Sequence, residues 1–199
     1  MSRKIMKDQR RLEILEALHR RLLIKPFDKT SIKEIAAEAG MNHGMLHYYF
    51  KSKEDILLNY IEHVIETYKN MFRTWMGSTE VKTETPSGLL AMSLDFMARK
   101  ITMNRDLSRI FIEIWEIANY NDKVRQKLKT SYMTWIGMAG GFIADKTISE
   151  KKALMMGTAL VAFSEGLSML SVVLDQDETE LEELLGVFRA IVLSFVEKV

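Results

Sequence analysis

The 199-residue chain contains no cysteine. That excludes disulfide staples and thiolate chemistry, and it fits a reducing compartment. Proline occurs only twice and Gly-rich turn clusters are scarce, which favours long helices over many short strands. No nucleophile elbow, phosphate-cradling glycine loop or dinucleotide fingerprint is present, and neither is an internal repeat or a low-complexity tract. The opening MSRKIMKDQRRLEILEALHRRLL carries charges through any would-be apolar core, so no signal peptide is read there. Net charge is also nearly lacking, at +1, but the balance is uneven. Residues 1–53 carry 12 Lys/Arg against 6 Asp/Glu, and residues 54–199 carry 16 against 21. A basic first quarter on an acidic remainder points to a nucleic-acid or anionic-surface contact at the N-terminal end. One long apolar run, Ala153 to Leu174, holds a single charge, Glu165, and has the length of a membrane span. A carboxylate near its middle and repeated small residues favour a packed helix of an all-helical dimer instead, with no membrane partner.

What is there reads as helix nearly throughout. Leu12, Leu15, Leu18 and Leu22 stripe a first helix that ends before Pro26. Thr30 or Ser31 caps a short second helix, with Glu34 placed for a capping box. Gly40 breaks it and Asn42 caps a third. Ser52 opens a long fourth helix ending at Gly77, and residues 77–86 form a loop. Thr85 with Pro86, Asp106, Asn121 or Asp122, Ser149, and Asp177 with Glu180 mark five further starts. The spacing predicts an all-α chain of about nine helices.

Ile32, Ile35, Ala36 and Ala39 give the second helix an inward face, and Leu46 with Phe50 do the same for the third. The tight AGMN turn between them makes a helix-turn-helix, whose second helix enters the DNA major groove. His43, Gly44, Met45, His47 and Tyr48 then fall on the outer surface. Lys53 at the start of the fourth helix makes a candidate phosphate site with the amides there.

The stretch FDKTSIKEIAAEAGMNHGMLHYYFKSKEDIL resembles the N-terminal signature of the TetR family of transcriptional regulators, over roughly residues 8–60. The resemblance implies phosphate contacts from Thr30, Lys53 and the first turn of the recognition helix. It places His43, Gly44, Met45 and Tyr48 nearest the bases, with Ser31 and Asn42 beside them in the DNA-binding set. The family usually has Tyr where this chain has His47, and often His where it has Tyr49. An imidazole at 47 can still donate to a phosphate, a contact that is expected to be pH-sensitive. Tyr49 is expected to pack inward beside Phe50.

His43 and His47 also have the i, i+4 spacing of a two-histidine zinc site. Gly44 stands where a catalytic glutamate would follow the first histidine, and no third ligand is near, so no metal and no cofactor are expected. The segment LSRIFIEIWEIAN is apolar nearly all round at about 100° per residue, which predicts an interior helix. Its narrow polar strip is Arg109, Glu113 and Glu116. Met71, Met97, Met133 and Met138 accompany Trp75, Trp115 and Trp135, a soft aromatic interior that fits an apolar or flat ligand and a solid core equally well.

IFIEIWEIANYNDKVRQKL is similar to the C-terminal domain of the betaine-regulator branch of the same family, and AFSEGLSML resembles its penultimate helix. These implied a pocket, for which Met71, Trp75, Met97, Phe111, Trp115, Trp135 and Met138 are the candidates. They also imply that the last two helices form a dimeric four-helix bundle. Gly157, Ala162, Gly166, Leu184, Phe188, Ile191 and Phe195 are its expected interface.

The expected organisation is a helix-turn-helix DNA-binding domain over 1–53 and a helical effector-binding and dimerisation domain over 54–199. The expected function is that of a cytoplasmic, homodimeric repressor of double-stranded operator DNA, released by an apolar or aromatic small molecule, and not of an enzyme. Two other readings fit the residues. One is a dimeric DNA-associated protein without an effector. The other is an enzyme using the helical cavity through Glu116 or Glu165.

Overall fold

The computed structural model describes residues 3–78, 85–141 and 149–196. Among them every regular element is helical. In chain order these are α1 (Arg3–Leu22), α2 (Ile32–Glu38), α3 (His43–Tyr49), α4 (Lys53–Met76) and α5 (Pro86–Met97), then a π-helical turn (Ala98–Thr102). α6 (Arg105–Tyr120), α7 (Asp122–Gly141), α8 (Glu150–Val173) and α9 (Glu178–Val196) follow. Most of the expected loop at 77–86 lies outside the described residues.

The helix starts follow from side chains that satisfy orphan amides at each N-terminus. Thr85 accepts from the Gly88 amide with Pro86 in the first turn, and Ser149 accepts from Lys152. Asp177 and Glu180 cap each other reciprocally at 2.9 and 3.2 Å. Ser52 caps α4 through the Asp55 amide at 3.0 Å. α6 opens one residue before the expected Asp106, because Asn104 takes the Leu107 amide at 3.0 Å.

The chain groups into two compact units that are not sequential segments. The first comprises Met1–Thr67 with Glu113–Leu128, the second Tyr68–Ile112 with Lys129–Val199. α4, α6 and α7 are each divided between the two units.

In the first unit Ile14, Leu18, Ile35, Leu46, Phe50 and Ile61 are essentially fully buried. Of the expected α1 stripe, Leu15, Leu18 and Leu22 are buried, joined by Ile14 and Ala17, while Leu12 is exposed. Non-local polar bonds then lock the elements together. Arg11 of α1 donates to the Tyr49 carbonyl at 2.5 Å and to Asn59 Oδ1 at 2.7 Å, with its guanidinium 4.1 Å from the Phe50 ring centroid. Glu113 accepts the Phe27 amide. Glu54 accepts from Lys123 at 2.7 Å and from Asn121 at 2.8 Å, which holds its carboxyl below the usual range.

In the second unit Leu90, Ala153, Leu160 and Val192 form a buried cluster, with Phe188 and Leu94 packed on it. α7 and α8 cross at two glycines. A Cβ on Gly140 would lie 2.7 Å from the Ala153 carbonyl oxygen, and one on Gly157 would run into the Ile136 carbonyl and lie 2.7 Å from the Gly140 nitrogen. Gly137 and Gly141 face open space.

One expectation is corrected here. α6 is amphipathic rather than interior: Ile110 and Ile114 are buried, but Ile112 and Trp115 are exposed, Trp115 by half. α8 has the length and apolarity to cross a membrane, yet only 22% of its most apolar window is buried within this chain. Within one chain its buried residues are Ala153, Gly157, Leu160, Leu167 and Ser171, and much of the rest of its surface is left for other contacts.

Candidate functional site

The helix-turn-helix is built from three local devices. Ser31 Oγ accepts the Glu34 amide at 3.3 Å while Glu34 Oε2 accepts the Ser31 amide at 2.8 Å, a complete capping box. Gly40 then turns the chain at φ +64°, a left-handed conformation that costs glycine nothing, so that the Met41 amide reaches back to the Ala36 carbonyl at 2.9 Å. Asn42 Oδ1 takes the Gly44 amide at 2.8 Å and starts α3.

Leu46 at 0% and Phe50 at 1% exposure seat α3 on the core, which turns the opposite face outward. There His43, Gly44, Met45, His47 and Tyr48 are all exposed, Tyr48 by 62%. The His43 and His47 rings meet edge to face with centroids 5.0 Å apart. Lys7 Nζ stands 5.3 Å from the Tyr48 ring centroid. Tyr49 is half-buried against Tyr48. A polar aromatic surface with cations around it is suited to base edges and phosphates.

The expected phosphate ligands are placed differently. Thr30 is buried, and its hydroxyl donates to the Pro26 carbonyl at 3.0 Å. Lys53 Nζ donates to the carbonyls of Phe27 at 2.7 Å and Thr30 at 2.9 Å, and lies 4.4 Å from the Phe27 ring centroid. Partial burial pushes the lysine's pKa down, against the pull of Asp28 and Glu113. These two side chains clasp the α1–α2 connection instead of facing outward. The α4 N-terminus already holds Ser52, Glu54 and Asp55 of its own first turn. Lys7, Lys33 and Lys51 are exposed, and Lys7 stands beside Tyr48 of α3.

Sequence reasoning missed Arg11 and Glu113. Each binds residues at least 38 positions away, and no local spacing announces such a contact. Burial raises the Glu113 carboxyl, aided by Asp28 and Glu116; the Phe27 amide and Lys53 oppose it.

The second unit contains a cavity between α4, α5, the π turn, α7 and α8. Its atom-free space is about 860 Å³, including its opening to solvent. Met97, Trp135 and Met138 line it as expected, joined by Tyr68, Phe72, Ser93, Leu94 and Glu165. Met71, Trp75, Phe111 and Trp115 do not. Trp75 stacks on Phe96 at 4.7 Å, Met71 and Trp115 are exposed, and Trp115 belongs to the first unit. Periodicity placed these side chains on a helix face but not on the wall of a void.

The expected interface residues divide as well. Leu184 and Ile191 of α9 are exposed, as are Ala162 and the neighbouring Val187. No atom lies within 4 Å of a Cβ built on Gly166. Gly157 is corrected: it serves the α7–α8 crossing within the chain. Phe188 is partly exposed; its ring stacks on Phe163 at 3.5 Å and packs on the core cluster. The Phe195 side chain lies outside the described residues.

A capped two-helix turn seated on its own core, with an exposed polar aromatic face, defines a helix-turn-helix DNA-binding protein. Residues 14–60 match the family model described as bacterial regulatory proteins, tetR family. A helix-turn-helix transcriptional regulator from the dhlA 5′ region of Xanthobacter autotrophicus is 24% identical over 158 residues, 78% of this chain and 76% of that protein. Two solved structures share the fold. A TetR transcription regulator from Haloarcula marismortui superposes with a TM-score of 0.77 at 22% identity, covering 96% of this chain and 98% of that one. A transcriptional regulator from Saccharomonospora viridis in complex with choline gives 0.74 at 20% identity, covering 91% and 95%. Residues 14–60 thus carry the DNA-binding region of the tetR family of bacterial regulatory proteins, and the rest of the chain has the fold of the TetR regulators to which it is similar.

Proposed function

We propose that the protein is a homodimeric, ligand-responsive repressor acting in the cytoplasm. Residues 1–53 read operator DNA, and residues 54–199 bind the effector and the second copy. The observation that carries the effector is the cavity itself, whose wall is largely apolar with a few polar groups, Ser93 and Glu165 among them, the character of a small-molecule site. The face of His43, Gly44, Met45, His47 and Tyr48 reads bases, while Lys7, Lys33 and Lys51 supply phosphate contacts. Thr30 and Lys53 hold the α1–α2 connection behind that face, and the exposed Ser31 and Asn42 reach the DNA backbone beside it. Two copies related by a two-fold axis present two recognition helices to a palindrome.

The mechanism is population shift. Effector binding favours a spacing of the recognition helices that does not fit successive major grooves. α4 carries the coupling, because it runs from the DNA-reading unit into the wall of the cavity. Linkage requires reciprocity, so operator DNA must weaken effector binding by the factor by which the effector weakens DNA binding.

The test is a salt titration of affinity for DNA upstream of the protein's own gene against a scrambled duplex, with and without candidate effectors. Sequence-dependent binding with a steep salt slope, lost on adding an effector, is the expected result. Equal weak binding to both duplexes, unmoved by any bound small molecule, overturns the reading.

A further inference from the structure

The cavity is not uniformly apolar, and its polar atoms are few enough to be read as a recognition pattern. Glu165 of α8 reaches its wall among Phe72, Leu94, Trp135 and Met138. The carboxyl receives one side-chain hydrogen bond, from Tyr132 of α7. Ser93 of α5 also lines the wall; its hydroxyl is buried and has no hydrogen-bond partner. Buried polar atoms left unpaired cost free energy that a complementary ligand recovers.

We infer that this cavity selects an amphipathic organic cation, with its ammonium group beside Glu165 and its apolar body against the aromatic and methionine wall. The inference rests on the effector reading above and names the chemical class of that effector.

Three features support the sign of the charge. A carboxylate in low dielectric needs a cationic or hydrogen-bonding partner, and Tyr132 supplies a single donor. The faces of Tyr68, Phe72 and Trp135 attract cations through their ring quadrupoles. Lys69 is the cation on the lining, but it has an interaction of its own and is not among the groups that shift Glu165. The unpartnered Ser93 hydroxyl marks a second polar point, where a ligand hydroxyl, carbonyl or amine gains a bond.

Burial raises the Glu165 carboxyl above its ordinary value of 4.5, with the Tyr132 bond opposing. A bound cation favours the ionised form, so cation binding releases a proton from whatever fraction is protonated. Affinity for the cation therefore rises as pH climbs above 4.5 and levels off once Glu165 is ionised. The titratable groups facing it are Tyr132 from α7 and Tyr68 and Lys69 from α4. The α5 and π-turn linings contribute none.

The experiment is calorimetric titration of the full chain with three probes of one skeleton: 4-phenylbutylamine, 4-phenylbutanol and 4-phenylbutyrate. The amine is expected to bind roughly 10-fold or more tighter than the alcohol, in line with a hydrogen bond to a charged group, and the acid weakest. Glu165→Gln should bring the amine down to the level of the alcohol while alcohol binding, which reports an intact cavity, is kept. Equal or tighter binding of the alcohol or the acid by the natural chain overturns the inference, as does binding of none of the three. So does a Glu165→Gln variant that keeps both alcohol binding and the preference for the amine. A parallel DNA-binding measurement separates the two readings. Release of DNA by the alcohol or the acid leaves the effector reading standing and removes the cation; tight amine binding that leaves DNA affinity unmoved does the reverse.

Discussion

A Cβ added at Gly44 would meet nothing nearer than Asn42 Oδ1 at 3.5 Å, an ordinary van der Waals distance. The fold therefore has room for alanine there, and alanine in an exposed helix is more favourable than glycine by about 0.5–1 kcal/mol. Gly44→Ala is expected to leave thermal stability unchanged or slightly raised while weakening specific DNA binding about 10-fold, through a methyl group pressed against a base edge. Stability by calorimetry and affinity by gel shift must part company; a variant that binds operator normally removes Gly44 from the reading surface. Glu34 makes a prediction of the other kind. Lys25 first, then the Ser31 amide and hydroxyl, hold its carboxyl down at about 2 from an ordinary 4.5. A depressed carboxyl stabilises the fold above its unfolded value and loses that contribution as pH falls through the folded one. The chain should become easier to unfold between pH 4.5 and 2, and Glu34→Gln should be less stable at neutral pH yet lack this part of the acid response. Urea unfolding midpoints across that range are the check. Glu34 was legible in the sequence because its partner Ser31 is three residues away. Arg11, Glu113 and Ser93 were not, because their roles are set by groups that only the fold brings near, or by the absence of any.

Between helices, the tightest constraint is the α7–α8 crossing. Gly157 cannot accept a methyl group without moving backbone, since the nearest atoms belong to Ile136 and Gly140. Gly157→Ala should cost on the order of 1–3 kcal/mol, the overpacking penalty outweighing alanine's helix advantage. Gly137→Ala, in the same helix as Gly140 but facing open space, should gain about 0.5–1 kcal/mol. Denaturant unfolding of both variants decides the matter, and equal effects would refute close backbone approach at this crossing. Helix starts were the most legible part of the architecture, because a cap is a contact between residues two or three apart: Ser31, Asn42, Thr85, Ser149 and Asp177 all cap where sequence places them. The π turn at Ala98–Thr102 has no such signal. Its Met103 amide reaches the Ala98 carbonyl at 2.9 Å, a one-residue register change within an ARKIT stretch that is locally ordinary helix. α6 was misread for a related reason. Its apolar residues do span most of the helix, but periodicity cannot say which of them another element covers, and Ile112 with Trp115 are left exposed.

On the scale of the whole molecule, one copy leaves an unusual amount of apolar surface on its last two helices. Met155, Val173 and Leu174 at the ends of α8, and Val187 and Ile191 of α9, are each at least 60% exposed; the α9 pair, four residues apart on one helix face, is the apolar surface suited to association. α9 also carries acids in its first turn, Glu178 and Glu180, and Arg189 is paired with Asp95 at 2.7 Å within the chain. The apolar strip along its middle is thus bordered by charges that can stay in water when a second copy covers it, as a core-and-rim interface requires. If a second copy does cover it, Ile191→Glu buries an unpaired carboxylate at the contact, a change that costs several kcal/mol and is enough to populate monomer at micromolar concentration. In the isolated chain the same position faces water, and folding should be indifferent. The expected outcome is therefore a helical protein with unchanged secondary structure by circular dichroism that sediments as a monomer, where the natural chain sediments as a dimer. Its DNA binding should fall much further for a palindrome than for a single half-site, because two-fold presentation of the recognition helices is lost while each α3 is intact. Sedimentation velocity at two protein concentrations, followed by gel shift on full and half operators, tests both halves of the argument. An Ile191→Glu chain that remains a dimer places the two-fold elsewhere on the surface. A monomer that still prefers the full palindrome would show that the dimer is assembled by the DNA, with α9 a bystander.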